Sequence, residues 1–257
     1  MGRDIVSNLK FKKHTGDFQP EEFARMLDDA YLATKRDDAV TTKKSFSPSS
    51  LGYGHGNCPR YWYLAFSGVM FINENDSIAI ANMAQGTQAH ERIQGLIRTM
   101  PNFVAEEEEI INEYPPIRGF IDLIMDYNGP VIGEIKTAKQ EVWDTRRSEM
   151  KSSGNHMLQL LTYMKLKNAK EGFFLYENKN TQEVLIIPVQ MNERNKKIID
   201  DTFTWLCEVW DNFKDGDLPM RMFTKSTPTC KYCPIKKECW SMETGTVQIE
   251  AFKVPKL

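Results

Sequence analysis

Apolar positions recur at two spacings along this chain, and the switches between them mark its elements. In "PEEFARMLDDAYLATKR" (20–36), Phe23, Met26, Leu27, Ala30 and Tyr31 fall on one helical face behind Pro20 and two acids. "CPRYWYLAFSGV" (58–69) reads as a helix with Pro59 in its first turn, and "IAIANMAQGTQAHERIQGLIRTM" (78–100) as a long helix. Strand-like runs follow at 103–113, 118–127 and 131–137. Next come a helix around 155–169, strands at 172–177 and 183–189, and a helix over 192–216, opened by Asn192 and closed by Gly216. Residues 40–57, rich in Ser, Gly, Lys and Thr, form a loop. This order around one core predicts an α/β fold with a mixed central sheet flanked by helices. There is no internal repeat and no low-complexity linker.

The stretch "RGFIDLIMDYNGPVIGEIKTAK" (118–139) breaks the apolar pattern with Asp122, Glu134 and Lys136. Charges inside strand-like runs are unfavourable unless they face water or converge on a site. Asn128-Gly129 is a strong hairpin signal. A three-residue loop, Asn128-Gly129-Pro130, sets Tyr127 opposite Val131 and Asp122 opposite Lys136. Asp122, Ile124 and Asp126 then share a face with Ile132, Glu134 and Lys136. A two-residue loop would put Glu134 and Lys136 on the other face. Two carboxylates on rigid strands can hold Mg2+ or Mn2+, which activates water and neutralises charge developing on a phosphodiester. A neighbouring lysine can steer the attacking water. A half-exposed hairpin with solvated charges would carry the same pattern. Downstream, "NHMLQLLTYMKL" places His156, Gln159 and Tyr163 on one helical face, a polar wall opposite Leu158, Leu161 and Met164. Upstream, "GTQAHER" puts His90 and Glu91 within a helix.

Five cysteines are present. Cys230, Cys233 and Cys239 form C-x2-C-x5-C, one ligand short of a four-coordinate site, and Cys58 in "GNCPRYWY" is the natural fourth. Four cysteines suit either zinc or an iron–sulfur cluster. Cys207, at apolar helical spacing in "FTWLCEVW", reads as core.

Composition narrows the setting. The 257 residues are 41% hydrophobic and 26% charged, with a formal net charge of -2, so any nucleic-acid surface is local. No run of residues is apolar enough to span a bilayer, and "MGRDIVSNLKFKKH" is polar and basic, which points to the cytoplasm and to reduced cysteines. Arg60, Arg146, Arg147, Lys151, Lys231, Lys236 and Lys237 are candidate backbone contacts, and Tyr61, Trp62 and Tyr63 a candidate stacking surface. Trp62 reads better as packed beside the cysteines, and most of these lysines as solvated surface. The acidic run 106–113 reads as a strand with an exposed edge, an odd neighbour for DNA.

Taken together, "GTQAH", "GFID", "EIK" and "QLLTY" resemble the PD-(D/E)XK nuclease superfamily in its RecB-like branch, whose pattern reads G-x(3)-H, G-x-x-D, E-x-K and Q-x(3)-Y. Ile121 stands where the superfamily name has proline. The resemblance implies that His90, Asp122, Glu134 and the Ile135 carbonyl bind Mg2+ or Mn2+ and that Lys136 positions the nucleophilic water. Gln159 and Tyr163 then support the site and contact DNA. The split cysteines and "SPSSLGYGHGNCPRYWYL" are similar to the iron–sulfur staple of the CRISPR-associated exonuclease family and of AddB-type helicase–nuclease subunits. There Cys58, Cys230, Cys233 and Cys239 would hold a [4Fe–4S] cluster joining the two chain ends.

The implied organisation is an N-terminal arm and helix (1–45), a nuclease domain with the split cysteine motif (46–240) and a C-terminal tail (241–257). The implied activity is phosphodiester hydrolysis, with single-stranded DNA processed from an end, in recombination, repair, phage replication or CRISPR adaptation. A helicase or integrase partner fits such a role, and no G-x(4)-G-K-[ST] helicase motif occurs here. The rival is a non-catalytic DNA-binding or assembly protein that keeps the fold and the cluster.

Overall fold

The computed structural model describes residues 5–6, 16–34, 43–72 and 75–256. Most of the expected N-terminal arm lies outside them. Helix α1 (Pro20–Ala33) begins at Pro20 with Glu21 and Glu22 in its first turn. Helix α2 (Pro59–Phe66) follows extended Cys58, and α3 (Ser77–Ile97) is capped by the Asp76 carboxylate, which accepts the Ala79 N–H at 2.8 Å. Then come β1 (Phe103–Asn112), β2 (Ile117–Asp126), β3 (Pro130–Ala138), α4 (Gln140–Glu149), α5 (Gly154–Leu166), β4 (Glu171–Asn178) and β5 (Val184–Gln190). Helix α6 (Glu193–Asp215) is capped by Asn192 and ends at left-handed Gly216. Two short helices, α7 (Pro228–Lys231) and α8 (Lys236–Ser241), carry the last three cysteines with the turn between them.

The five strands form one sheet in the order β1-β2-β3-β4-β5. Only β3 and β4 are parallel, joined through α4 and α5, so the sheet is mixed as expected. One face packs Leu123, Met125, Val131, Ile135 and Leu175 against Ile93 and Ile97 of α3. The other packs Ile124, Ile132, Phe174 and Tyr176 against Leu160, Leu161 and Met164 of α5.

The hairpin loop is Tyr127-Asn128-Gly129, one residue earlier than expected. Asp126 pairs with Pro130 and Met125 with Val131. Asn128 and Gly129 take positive φ, 60° and 146°, and the Asp126 carboxylate accepts the Gly129 N–H at 3.0 Å. Pro130 opens β3, where a missing N–H is tolerated. The shift moves the pairing by two residues, so each side chain keeps its expected face. Asp122 therefore falls in register with Glu134 rather than with Lys136.

A second core joins the two ends of the described chain. Phe46, Leu51, Tyr61, Trp62 and Phe66 pack with Trp205, Leu206, Val209, Ile235 and Ile249. Segment 241–256 runs along this core. Trp205 Nε1 donates to the Glu250 carbonyl at 2.8 Å, and the Phe252 N–H to the Asn57 carbonyl at 2.9 Å. Trp62 is fully buried and Tyr61 nearly so, so neither offers bases a stacking surface. Cys207 is half-buried on α6 rather than sealed in the core.

Candidate metal centre and cysteine cavity

The β2–β3 ladder is paired as far as Leu123 and Gly133. Beyond that point the Asp122 side chain takes over, its Oδ2 accepting the Ile135 N–H at 2.7 Å. This fixes one carboxylate oxygen and turns Oδ1 toward His90, whose Nδ1 lies 3.8 Å away on α3. Glu107 of β1 completes a trio. One ligand atom from each of His90, Glu107 and Asp122 lies within 4.8 Å of the others. Glu107 reaches the site through an irregular strand: its φ is 48°, and its neighbours Glu106 and Glu108 pair with Leu123 and Ile121, placing it across from Asp122. Gln94 of α3 ties the pieces, donating to Glu107 Oε1 at 2.8 Å and to the Asp122 carbonyl at 3.1 Å.

Glu134 is completely buried. Its Oε1 accepts from Lys136 Nζ, while its Oε2 has no hydrogen-bond partner. An acceptor buried without a partner is destabilising unless something unseen satisfies it. Burial, then the neighbouring Asp122 charge, push the Glu134 carboxyl up to about 8. Burial also raises Asp122, against the pull of Lys136, His90 and the Ile135 N–H. Burial alone would lower Lys136, but Glu134 and Asp122 hold its ammonium above the usual range. Crowded acids with an orphaned oxygen suit a hard divalent cation: His90, Glu107 and Asp122 form a cluster that could offer a nitrogen and two oxygens, and Glu134, outside that cluster, lies beside Asp122.

Helix α5 forms the facing wall. Gln159 and Tyr163 are buried, and the phenol of Tyr163 is raised by burial and by Glu134, with hydrogen bonds from Gln159 and the Phe120 backbone opposing. Gly119 explains itself here. A Cβ at that position would lie 2.7 Å from Tyr163 Oη and 3.1 Å from Pro48 Cδ. The glycine of "GFID" thus makes room for the tyrosine of "QLLTY". His156 Nδ1 lies 2.7 Å from Tyr176 Oη, in the register position beside Lys136. Burial, then the charges of Lys136 and Arg146, depress His156 to about 3, so it is neutral at physiological pH. Burial raises the Tyr176 phenol; Arg146, on the unexpected helix α4, lies close enough for its charge to lower it, and has its Nε buried without a partner. The site thus has an acidic side (His90, Glu107, Asp122, Glu134) and a cationic side (Lys136, Arg146).

Sequence reasoning reached His90, Asp122, Glu134, Ile135, Lys136, Gln159 and Tyr163, and all lie on the elements that form this site. It missed Glu107 and Gln94. A run of four glutamates gives no register, and only the backbone irregularity singles out Glu107.

Cys58, Cys230, Cys233 and Cys239 line one partly open cavity with His55, Tyr61, Thr229, Ile235, Lys236 and Trp240. Cys207 is not among them. Burial pushes the Cys58 and Cys233 thiols up to about 12, and each feels the other cysteines. Clustered soft donors around a void fit a thiolate-ligated centre. Arg60, one of the candidate DNA contacts, is fully buried beside this cavity and unavailable to a phosphate backbone.

Residues 115–240 match the PD-(D/E)XK nuclease superfamily. No curated protein sequence matches the chain significantly. Among solved structures, an alkaline exonuclease (LHK-Exo) from Laribacter hongkongensis aligns with a TM-score of 0.51 at 13% identity, covering 73% of this chain and 95% of that one. LHK-Exo in complex with dAMP aligns at 0.51 and 14%, covering 66% and 90%. The crystal structure of SSO0001 aligns at 0.46 and 16%, covering 87% and 98%. These likenesses concern the fold. Over residues 115–240 the chain is similar to the PD-(D/E)XK nuclease superfamily, and its mixed α/β sheet and His/Glu/Asp cluster are consistent with that fold. Among the described residues no helix is long and apolar enough to cross a membrane.

Proposed function

We propose that this PD-(D/E)XK domain belongs to a RecB-like, metal-dependent DNA nuclease that acts on single-stranded DNA from an end. The observation that carries the reading is Glu134: a fully buried carboxylate beside Asp122, paired with Lys136 on one oxygen and orphaned on the other. His90, Asp122, Glu134 and the Ile135 carbonyl would hold Mg2+ or Mn2+, with Glu107 a further oxygen donor beside His90 and Asp122. Bound there, the cation supplies Lewis acidity and offsets charge developing on the phosphodiester.

The chain's own groups do the rest. Lys136 Nζ, held by Glu134, is placed to orient the attacking water and to stabilise negative charge on the phosphate oxygens. Arg146 adds a second positive charge on the same side, felt by His156. Neutral His156 keeps the Tyr176 hydroxyl fixed without adding charge. Gln159 and Tyr163 close the wall against which a nucleotide would lie. Cys58, Cys230, Cys233 and Cys239 would hold a [4Fe–4S] cluster, with zinc the competing occupant. Its place is structural, tying α2 to α7 and α8. DNA is the partner, and a helicase or integrase the kind of protein that would deliver it.

The test is cleavage of end-labelled single-stranded DNA with Mg2+, with Mn2+ and with chelator, on substrates blocked at the 5′ or the 3′ end. Metal-dependent cleavage prevented by one block supports an exonuclease, and cleavage despite both blocks makes it an endonuclease. No cleavage with either metal refutes the nuclease reading.

A further inference from the structure

Arg60 presents a problem in electrostatics. Its side chain is fully buried, and a guanidinium stays protonated in a protein. Nη1 donates to the carbonyls of Pro219 at 2.7 Å and Thr244 at 2.8 Å, and Nη2 to that of Glu243 at 2.6 Å. These neutral acceptors orient the fork but bring no net charge. Among the described residues no carboxylate forms an ion pair with it. A buried charge left without a counter-charge is strongly destabilising. Nε points to Cys239 Sγ at 3.3 Å.

We infer that Arg60 is the counter-cation of the cysteine cavity, donating a hydrogen bond to the Cys239 sulfur and offsetting the negative charge that four ligating thiolates bring. Four thiolates around a divalent zinc ion or a [4Fe–4S]2+ cluster leave a net charge of about −2. That charge sits in a partly buried pocket, where an adjacent buried cation is screened less than at the surface. Arg60 also stands two residues after Cys58 and reaches across 179 positions to Cys239, so it bridges the two halves of the ligand set. A second arginine reinforces the same turn. Arg221 donates to the Cys239 carbonyl at 2.9 Å and the Glu243 carbonyl at 3.0 Å, and lies over the Trp240 ring at 4.9 Å. A charged donor to a ligating sulfur stabilises the more electron-rich state of a cluster, and so raises its reduction potential. Arg60 is a positioning residue, acting through Cys239.

The inference rests on the cysteine cavity holding a metal centre, and the experiment separates the two. Wild type, Arg60→Met and Arg60→Lys are purified anaerobically. Iron, sulfide and zinc per chain, the redox titration of the visible absorbance, and the rate of metal loss to a chelator are measured, with circular dichroism reporting the fold. Arg60→Met keeps its secondary structure, titrates at a lower potential and loses metal about 10- to 100-fold faster. Arg60→Lys, keeping the charge without the fork, lies between. If the wild type carries zinc, the release rate alone decides. A metal-loaded wild type with an Arg60→Met variant of the same potential and release rate overturns the role of Arg60 alone. If Arg60→Met does not fold, an Arg60→Lys variant identical to wild type overturns it equally. A wild type that binds neither iron nor zinc overturns the cavity as a metal site, and Arg60 with it.

Discussion

Replacing Glu134 by glutamine should make the metal-free protein more stable while it abolishes cleavage. The carboxyl is pushed up to about 8 by burial and by Asp122, from an ordinary value of 4.5. The folded state therefore holds its proton more tightly than the unfolded chain. The stability this confers is fully present below pH 4.5 and is lost as pH rises to about 8. At about 1.4 kcal/mol per pH unit, the loss reaches roughly 4–5 kcal/mol at pH 8. Glutamine removes that loss but deprives Lys136 of its partner, leaving Asp122 to hold the ammonium. A net gain of about 1–3 kcal/mol at pH 8 remains once a buried lysine with one partner fewer is set against it. Urea denaturation in chelator at pH 5, 6.5 and 8 reads it directly. The advantage of Glu134→Gln should grow with pH. Adding Mn2+ should reverse the order, because a cation at a thousand times its dissociation constant stabilises the wild type by about 4.1 kcal/mol and the variant by far less. A variant less stable than wild type at pH 8 in chelator, or a difference that does not change with pH, would refute the claim that this carboxylate is strained for the sake of a cation.

Glu107→Gln should weaken Mn2+ binding about tenfold or more while changing stability by less than about 1 kcal/mol, since the side chain is exposed; calorimetric titration checks it. Gly119→Ala should destabilise by about 1–3 kcal/mol through its clash with Tyr163 Oη, and part of that loss should return in the Gly119→Ala, Tyr163→Phe double variant. Unfolding titrations of the two singles and the double measure the coupling, and simple additivity would contradict the contact. Cys207→Ser should leave metal content unchanged, whereas Cys58→Ser should lose the brown absorbance of a cluster and much of the soluble protein. Metal analysis of both variants decides it.

The strands, the long helices and the shared face of Asp122, Glu134 and Lys136 were legible from spacing, whereas the roles given to His90, Gln159 and Tyr163 came from the family resemblance. Asp122, Glu134 and Lys136 interrupt apolar runs at even offsets, and a register error of two left their shared face intact. That error came from Pro130, which lacks an N–H and so reads as a loop residue, yet can begin a strand whose partner needs no donor there. Helix α4 was not legible: "QEVWDTRRSE" buries only Trp143, a stripe too narrow to show as a period. Glu107 was hidden because its place depends on a positive φ inside a strand, which no run of identical residues announces. Arg60 read as a surface cation because arginine seldom lies fully buried, and only the surrounding carbonyls and sulfur reveal why it does so here. Cys58 could be matched to the C-terminal triplet by the need for a fourth ligand, and all four cysteines line one cavity.

The central claim is that Asp122 and Glu134 hold a divalent cation for phosphodiester cleavage. Mn2+ binding by calorimetry and cleavage of end-labelled single-stranded DNA, measured on the same preparations of wild type, Asp122→Asn and Lys136→Ala, test it most directly. Wild type should bind Mn2+ and cleave, with chelator abolishing both. Asp122→Asn should lose both, because a neutral amide is a poor ligand for a hard cation. Lys136→Ala should keep the metal and lose cleavage. Cleavage at the wild-type rate by either variant, or by the wild type in chelator, would contradict the account.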